Sequence, residues 1–188
     1  LTTSPDGKYV AAGTSRGVFV FDPTTLKLVE YINTYSWVST LAFSPDSKTI
    51  AIGNQDGLIR TLDTETWQEI LEKTYSGHTM GVLDLAFSPD GTRLASVGLD
   101  NNLFQWQVNS SNGPKPTPIQ ISGVSSVTYS SDGRYIVTGD SFFKINVWDA
   151  GSSAPVRSFT FTSKVIDIAG IQDSSLIVVG GSDQRVAL

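Results

Sequence analysis

Five tight turns at nearly even spacing restrict what this 188-residue chain can fold into more than any other feature. Asp6, Asp46, Asp90, Asp132 and Asp173 lie 40, 44, 42 and 41 residues apart. Their turns read Ser-Pro-Asp-Gly, Ser-Pro-Asp-Ser, Ser-Pro-Asp-Gly, Ser-Ser-Asp-Gly and Ile-Gln-Asp-Ser. Pro fixes one backbone dihedral while Asp and Gly tolerate the bend, so each turn joins two strands. A period near 40 residues means one supersecondary unit repeated, each copy burying its apolar faces against its neighbours.

The same four pieces recur around each turn. An alternating strand precedes it, at 38–43, 82–87, 124–129 and 165–169, with a fragment at 1–3. A small, apolar strand follows, at 9–12, 49–52, 94–97, 135–138 and 176–179. Apolar runs of this length bounded by turns suit strands packed on both faces. A loop containing Gly or Asp leads to a third strand at 18–21, 58–62, 103–107, 144–148 and from 185 onward. A more polar fourth strand follows at 26–32, 67–71, 118–121 and 156–161, and its tolerated Pro marks an outer edge. Four strands in such a period form a propeller blade. The expected fold is an all-β propeller of four-stranded antiparallel blades, about four and a half of them in one domain. The blades run over about 1–33, 34–73, 74–121, 122–162 and 163–188. Residues 109–118, with Asn112-Gly113 and three prolines, read as a solvated loop. Leu62, Trp106 and Trp148 each stand 16 residues after a turn aspartate, a position that falls at 189 after Asp173. We therefore expect both ends to cut through strands, a large apolar residue at 189 and further blades beyond it.

The stretch from Gly77 to Gln107 is the best-formed copy. It carries Gly77-His78, the alternating 82–87, Ser88-Pro89-Asp90-Gly91, Ser96, Asp100 and Trp106. It resembles a WD repeat, the Trp-Asp family of propeller blades; Trp148-Asp149 completes the pair, and Phe21-Asp22 and Leu62-Asp63 echo it. The resemblance implies an arc of a seven-bladed ring. It also implies a structural tetrad in which His78 bonds Asp100, Ser96 bonds His78 and Trp106 bonds Ser96. Read without the resemblance, Ser, His and Asp are the components of a hydrolase triad, and His78 is the only histidine. Ser96, however, lies inside a central strand between Ala95 and Val97, whereas a nucleophile needs an exposed turn and an oxyanion hole. We expect no catalytic residue. The fourth unit keeps Thr138 and Trp148 but holds Gln120 and Phe142 where the His and the loop Asp would stand; Asp56 and Asp183 are expected to cap their own loops.

Composition excludes several classes. Thirteen Lys and Arg against 18 Asp and Glu give a net charge of −5, and the basic residues are scattered, which disfavours nucleic acid. No apolar run approaches the roughly 20 residues of a membrane span. The absence of cysteine excludes disulfides and thiolate ligands and points to a cytoplasmic or otherwise intracellular protein. There is no Gly-rich phosphate loop and no metal-ligand spacing, so no cofactor is expected, and Asp100-Asn101-Asn102 reads as a turn.

In WD propellers partners usually bind the face made by the loops leading into first strands and the loops between second and third strands. Carried onto this chain, the leading loops supply Tyr35, Trp37, Met80, Ile121 and Phe161, and the second-to-third loops supply Arg16, Leu99 and Phe142. Trp and Tyr in polar loops, with Arg, are the residue types that carry interface energy. Trp37 stands where the other units are read to hold Gly81, Gly123 and Ser163, and it either faces outward or packs between blades. Phe142, in an Asp position, is expected to turn inward. The resulting expectation is a non-catalytic scaffold for a protein or peptide partner. The alternatives are a sensor or regulatory propeller of a larger protein, and a small-ligand or enzymatic propeller needing inward-facing His, Arg or metal ligands.

Overall fold

The computed structural model of the chain describes residues 1–108, 116, 118–171, 174 and 176–187. Within each blade every strand pairs antiparallel with the next, so chain order becomes sheet order and five sheets result. Blade one is β1 (Thr2–Thr3), β2 (Val10–Thr14), β3 (Gly17–Phe21) and β4 (Leu28–Ile32); blade two is β5 (Val38–Phe43), β6 (Thr49–Asn54), β7 (Leu58–Asp63) and β8 (Tyr75–Ser76). Blade three is β9 (Val82–Phe87), β10 (Arg93–Gly98), β11 (Asn102–Gln107) and β12 (Ile119–Gln120); blade four is β13 (Val124–Tyr129), β14 (Tyr135–Asp140), β15 (Lys144–Asp149) and β16 (Pro155–Thr160). Blade five shows three strands, β17 (Val165–Gly170), β18 (Ile177–Gly181) and β19 (Val186–Ala187). The fold is all-β, interrupted among the described residues by one 3₁₀ turn at Leu71–Lys73.

The turn sequences explain the hairpins. Ser4, Ser44, Ser88 and Ser130 donate their hydroxyls to Asp6, Asp46, Asp90 and Asp132 at 2.7, 2.6, 2.5 and 2.6 Å. The same carboxylates accept the backbone N–H two residues on, from Lys8, Lys48, Thr92 and Arg134. These bonds, with the serine hydroxyl first, hold all four carboxyls below the usual aspartate range. Asp173, and the loop read across 109–118 apart from Pro116 and Pro118, lie outside the described residues.

The core is a series of layers between blades. Ile50 and Ile52 pack with Val18 and Val20 between blades one and two, and Ile59 and Tyr75 meet Leu85, Phe104 and Trp106 between blades two and three. Val97 and Leu103 meet Val127 and Ile136 next, and Val137 and Ile145 meet Val165 and Val179 last. The second strands β6, β10 and β14 are buried on both faces, as continuous small and β-branched runs allow. The approach is close: a Cβ on Gly53 would lie 2.6 Å from Thr40 Cγ2 and 2.9 Å from Val82 Cγ1.

One strand differs from expectation. The outer strand of blade two is Tyr75–Ser76, paired with Ile59 and Leu58, and not residues 67–71. Trp67 ends the Asp63 turn in a left-handed conformation (φ 56°), its N–H bonded to the Asp63 carbonyl at 2.8 Å, and its ring meets Tyr9 of blade one edge-on at 5.0 Å. The apolar residue there wedges two blades together. The chain then makes only a single bridge, Leu62 to Glu69, before the 3₁₀ turn.

Candidate functional site

The loops leading into the blades and those between second and third strands supply His78 and Asp100. In blade three, Trp106 Nε1 donates to Ser96 Oγ at 2.8 Å, Ser96 Oγ lies 2.8 Å from His78 Nε2, and His78 Nδ1 lies 2.9 Å from Asp100 Oδ1. A carboxylate can only accept, so Asp100 takes the imidazole proton on Nδ1; Nε2 then accepts the serine proton, while the serine oxygen accepts the indole N–H. Asp100 also accepts the N–H of Thr79 at 2.9 Å and of Asn102 at 3.2 Å. Burial pushes its carboxyl up, but the bonds from His78, Thr79 and Asn102 outweigh this and leave it below the ordinary range. The structure thus brings all four residues together. Ser96 is completely buried, so no substrate carbonyl reaches its oxygen.

Other blades keep fragments of this arrangement and replace the rest. Trp148 Nε1 donates to Thr138 Oγ1 at 3.1 Å in blade four, and Ser163 donates to Asp183 at 2.9 Å in blade five. Asp56 accepts from the Leu58 N–H and from Arg60. Two buried polar loop residues, of which Asp140 caps backbone N–H groups, were missed from the sequence because they stand two positions earlier than the Asp position. Buried Asp140 accepts from the Phe142 and Lys144 N–H groups at 2.9 Å each, and buried Asn54 accepts from Arg60 at 2.7 Å.

Of the eight residues read as partner-facing, six face solvent. Tyr35 is 93% exposed, Phe142 62% and Trp37 59%; Met80, Leu99 and Arg16 are also exposed. Phe142 therefore does not turn inward: its ring lies over Gly123, where a Cβ would come within 2.8 Å of ring atom Cε2. Ile121 and Phe161 are corrections. Ile121 is buried in the layer between blades three and four, and Phe161 is half-buried against the layer between blades four and five. Both are drawn in by their N–H bonds, to the carbonyls of Asn101 and Phe143. The residue equivalent to Trp37 in blade five is Lys164 and not Ser163, because the carbonyls of Trp37, Gly81, Gly123 and Lys164 each accept an N–H from their own second-to-third loop.

The same loops contain strained backbone. Tyr35 and Phe143 adopt left-handed φ values of 54° and 68°, which bulky residues rarely take. At the position of Phe143 the other blades carry Gly17, Gly57, Asn101 and Gln184.

A second polar set lies one step inside, on the first strands. Thr40, Asp84, Ser126 and Asp167 are the third residues of β5, β9, β13 and β17. Asp84 accepts from Thr40 Oγ1 at 3.2 Å and its own neighbour Leu85 N–H at 2.9 Å on one oxygen, and from Ser126 Oγ at 2.9 Å and Val127 N–H at 2.8 Å on the other. Ser126 Oγ also lies 3.2 Å from Asp167 Oδ1. The alternating pattern of 82–87 gives no sign of these bonds at Asp84. Among the described residues no group of three His, Cys, Asp or Glu side chains could hold a metal, and no helix is long and apolar enough to cross a membrane.

The family model described as "Vps8 beta-propeller" matches residues 6–114, and the one described as "WD domain, G-beta repeat" matches residues 119–149. "Protein groucho" of Drosophila melanogaster is 25% identical over 228 residues, covering 98% of this chain and 31% of that protein. "WD repeat-containing protein 18" of Rattus norvegicus is 26% identical, covering all of this chain and 49% of that protein. "UBP9-binding protein bun62" of Schizosaccharomyces pombe is 32% identical over 110 residues, covering 55% of this chain and 20% of that protein. The chain thus spans at most about half the length of these relatives.

Proposed function

The chain belongs to the WD-repeat β-propellers, with the Vps8 β-propeller model covering more than half of it, and from that premise we propose that it is a non-catalytic scaffold binding a protein or peptide partner through its loop face. Proteins of this family are in general protein-interaction scaffolds. The observation that carries the reading is the row of exposed apolar side chains on the loops at one end of the blades, Tyr35, Trp37, Met80, Leu99 and Phe142, with Arg16 beside them. The repeat does not require them: Gly81 and Gly123 serve where Trp37 stands, and Asp where Phe142 stands. Large exposed apolar groups on rigidly held loops are the usual anchors of an interface. The name of the bun62 relative states that it binds another protein, and the same class of activity is proposed here.

A hydrolytic role is disfavoured by the tetrad itself, since Ser96 is buried and its oxygen is shared between an indole and an imidazole. A regulatory propeller within a larger protein is the second reading, favoured by relatives two to several times longer than this chain. It would use the same face. An intracellular location accords with the absence of cysteine.

Site-specific photo-crosslinking tests the proposal. A crosslinker at Trp37 or Phe142 of the intact protein should capture the physiological partner, while one at Leu26, exposed on the opposite end of the blades, should not. Capture from Leu26 alone would place the binding face elsewhere.

A further inference from the structure

The first strands of successive blades touch in sequence, β5 to β9, β9 to β13 and β13 to β17. The polar set on their third residues contains a proton-counting problem. Ser126 Oγ lies within hydrogen-bond distance of Asp84 Oδ2 and Asp167 Oδ1, and the Ile168 N–H is shared between Ser126 Oγ at 3.0 Å and Asp167 Oδ1 at 2.9 Å. A hydroxyl has one proton to give. With both carboxylates charged, the serine proton serves only one of the two, and a proton given to Asp84 leaves Asp167 bridged to Ser126 by nothing but the shared Ile168 N–H.

We propose that Asp84, Ser126 and Asp167 form a proton-operated clasp between the first strands of blades three, four and five, which closes when the set takes up one proton. With that proton on Asp84 Oδ2, Asp84 donates to Ser126, Ser126 donates to Asp167, and the second lone pair of Ser126 remains for Ile168. The donors from Thr40, Leu85 and Val127 are undisturbed. Every contact in the set is then a hydrogen bond, and the bonds run across three blades just inside the loops that bear the exposed aromatics.

Among the described residues, the strands packed on β9 offer Asp84 no competing charge. Of the strands packed on β9, β5 and β6 carry no titratable side chain. On β10 the single one is Arg93, at the far end and bonded to the Ala150 carbonyl at 2.5 Å; on β13 it is Tyr129, bonded to Gln105 at 3.1 Å. The charge that faces Asp84 is Asp167, across Ser126. Burial, more than Asp167, pushes the Asp84 carboxyl up to about 6 against the bonds from Val127, Leu85 and Ser126. A folded-state value above the unfolded one means stability that is complete below about 4 and lost as pH rises through 6. The opening equilibrium of the clasp should accordingly be about tenfold smaller at pH 5 than at pH 7.

Native-state hydrogen exchange of the intact protein reads this directly. Protection of the Leu85, Val127 and Ile168 amides, corrected for intrinsic exchange, should rise about tenfold from pH 7 to pH 5. Asp84→Asn should abolish the rise. Asp167→Asn should move its midpoint to lower pH, because Asp84 loses the facing charge. Equal protection at both pH values in the unaltered protein, or an unchanged rise in Asp84→Asn, overturns the proposal. Should Asp84→Asn not fold, carbon-13 titration of labelled aspartate carboxyls in the unaltered protein decides: one carboxyl with a midpoint near 6 supports the clasp, and all midpoints below 5 overturn it.

Discussion

Trp106 donates its indole N–H to Ser96 at 2.8 Å, and the hydrogen-bonded chain continues from Ser96 to His78 and from His78 to Asp100. The chain ties a third strand, a second strand, the loop leading into the blade and the tight loop after the second strand. Its members are buried, so removing one leaves others without partners.

His78→Ala and Asp100→Ala should each destabilise the protein by about 1–3 kcal/mol. The double substitution should cost less than the sum, because both break the same 2.9 Å contact. Urea denaturation of the four proteins gives the coupling. Strict additivity would show that the pair does not interact in solution.

Tyr75→Phe should be neutral or stabilising by up to about 1 kcal/mol. Among the described residues the buried Tyr75 hydroxyl has no hydrogen-bond partner, and its burial pushes its pKa up to about 12. Its ring packs against Trp106 at 5.3 Å, a contact phenylalanine retains. A clear loss of thermal stability would mean that the hydroxyl is bonded in solution.

Acid should act on the turns in the sense opposite to its effect on Asp84. Asp46 and Asp90 are held below the usual range by their serine hydroxyls. Their stabilisation is present above the unfolded carboxyl value of about 4 and is lost as pH falls through the lower folded value. Asp90→Asn should therefore weaken the protein at neutral pH and flatten its decline between about pH 4 and 2. Denaturant midpoints across that window check this, and an unaltered slope would remove Asp90 from the acid response.

The fold was legible because its determinants are local: a turn aspartate with a serine two residues before it, and small apolar runs that only a doubly covered strand can use. The tetrad was legible only through the resemblance to WD repeats, which implies the bonds among His78, Ser96, Asp100 and Trp106. What was not legible depends on contacts between blades. Trp67 looks like a strand residue until Tyr9 is placed beside it, and Asp84 gives no sign of its bonds until Ser126 and Val127 of the next blade are seen to make them. Asp140 and Asn54 escaped because a buried polar residue two positions earlier leaves the loop itself free to vary, as the Phe142-Phe143 pair shows.

Trp37 gives the sharpest test of the partner face. Its carbonyl accepts the Gln55 N–H at 2.9 Å, a backbone bond that any residue provides, while its side chain is 59% exposed beside an almost fully exposed Tyr35. Gly81 and Gly123 make the same backbone bond with no side chain at all. The indole is therefore dispensable to the repeat, and its removal should leave the blade intact. Truncating a central aromatic anchor typically costs at least about 2 kcal/mol of binding, roughly a thirtyfold loss of affinity. Trp37→Ala should thus weaken partner binding by about that factor in calorimetry while moving the unfolding midpoint little. A large fall in stability with affinity unchanged would show instead that the indole packs between blades one and two, and that the partner is held by other loops.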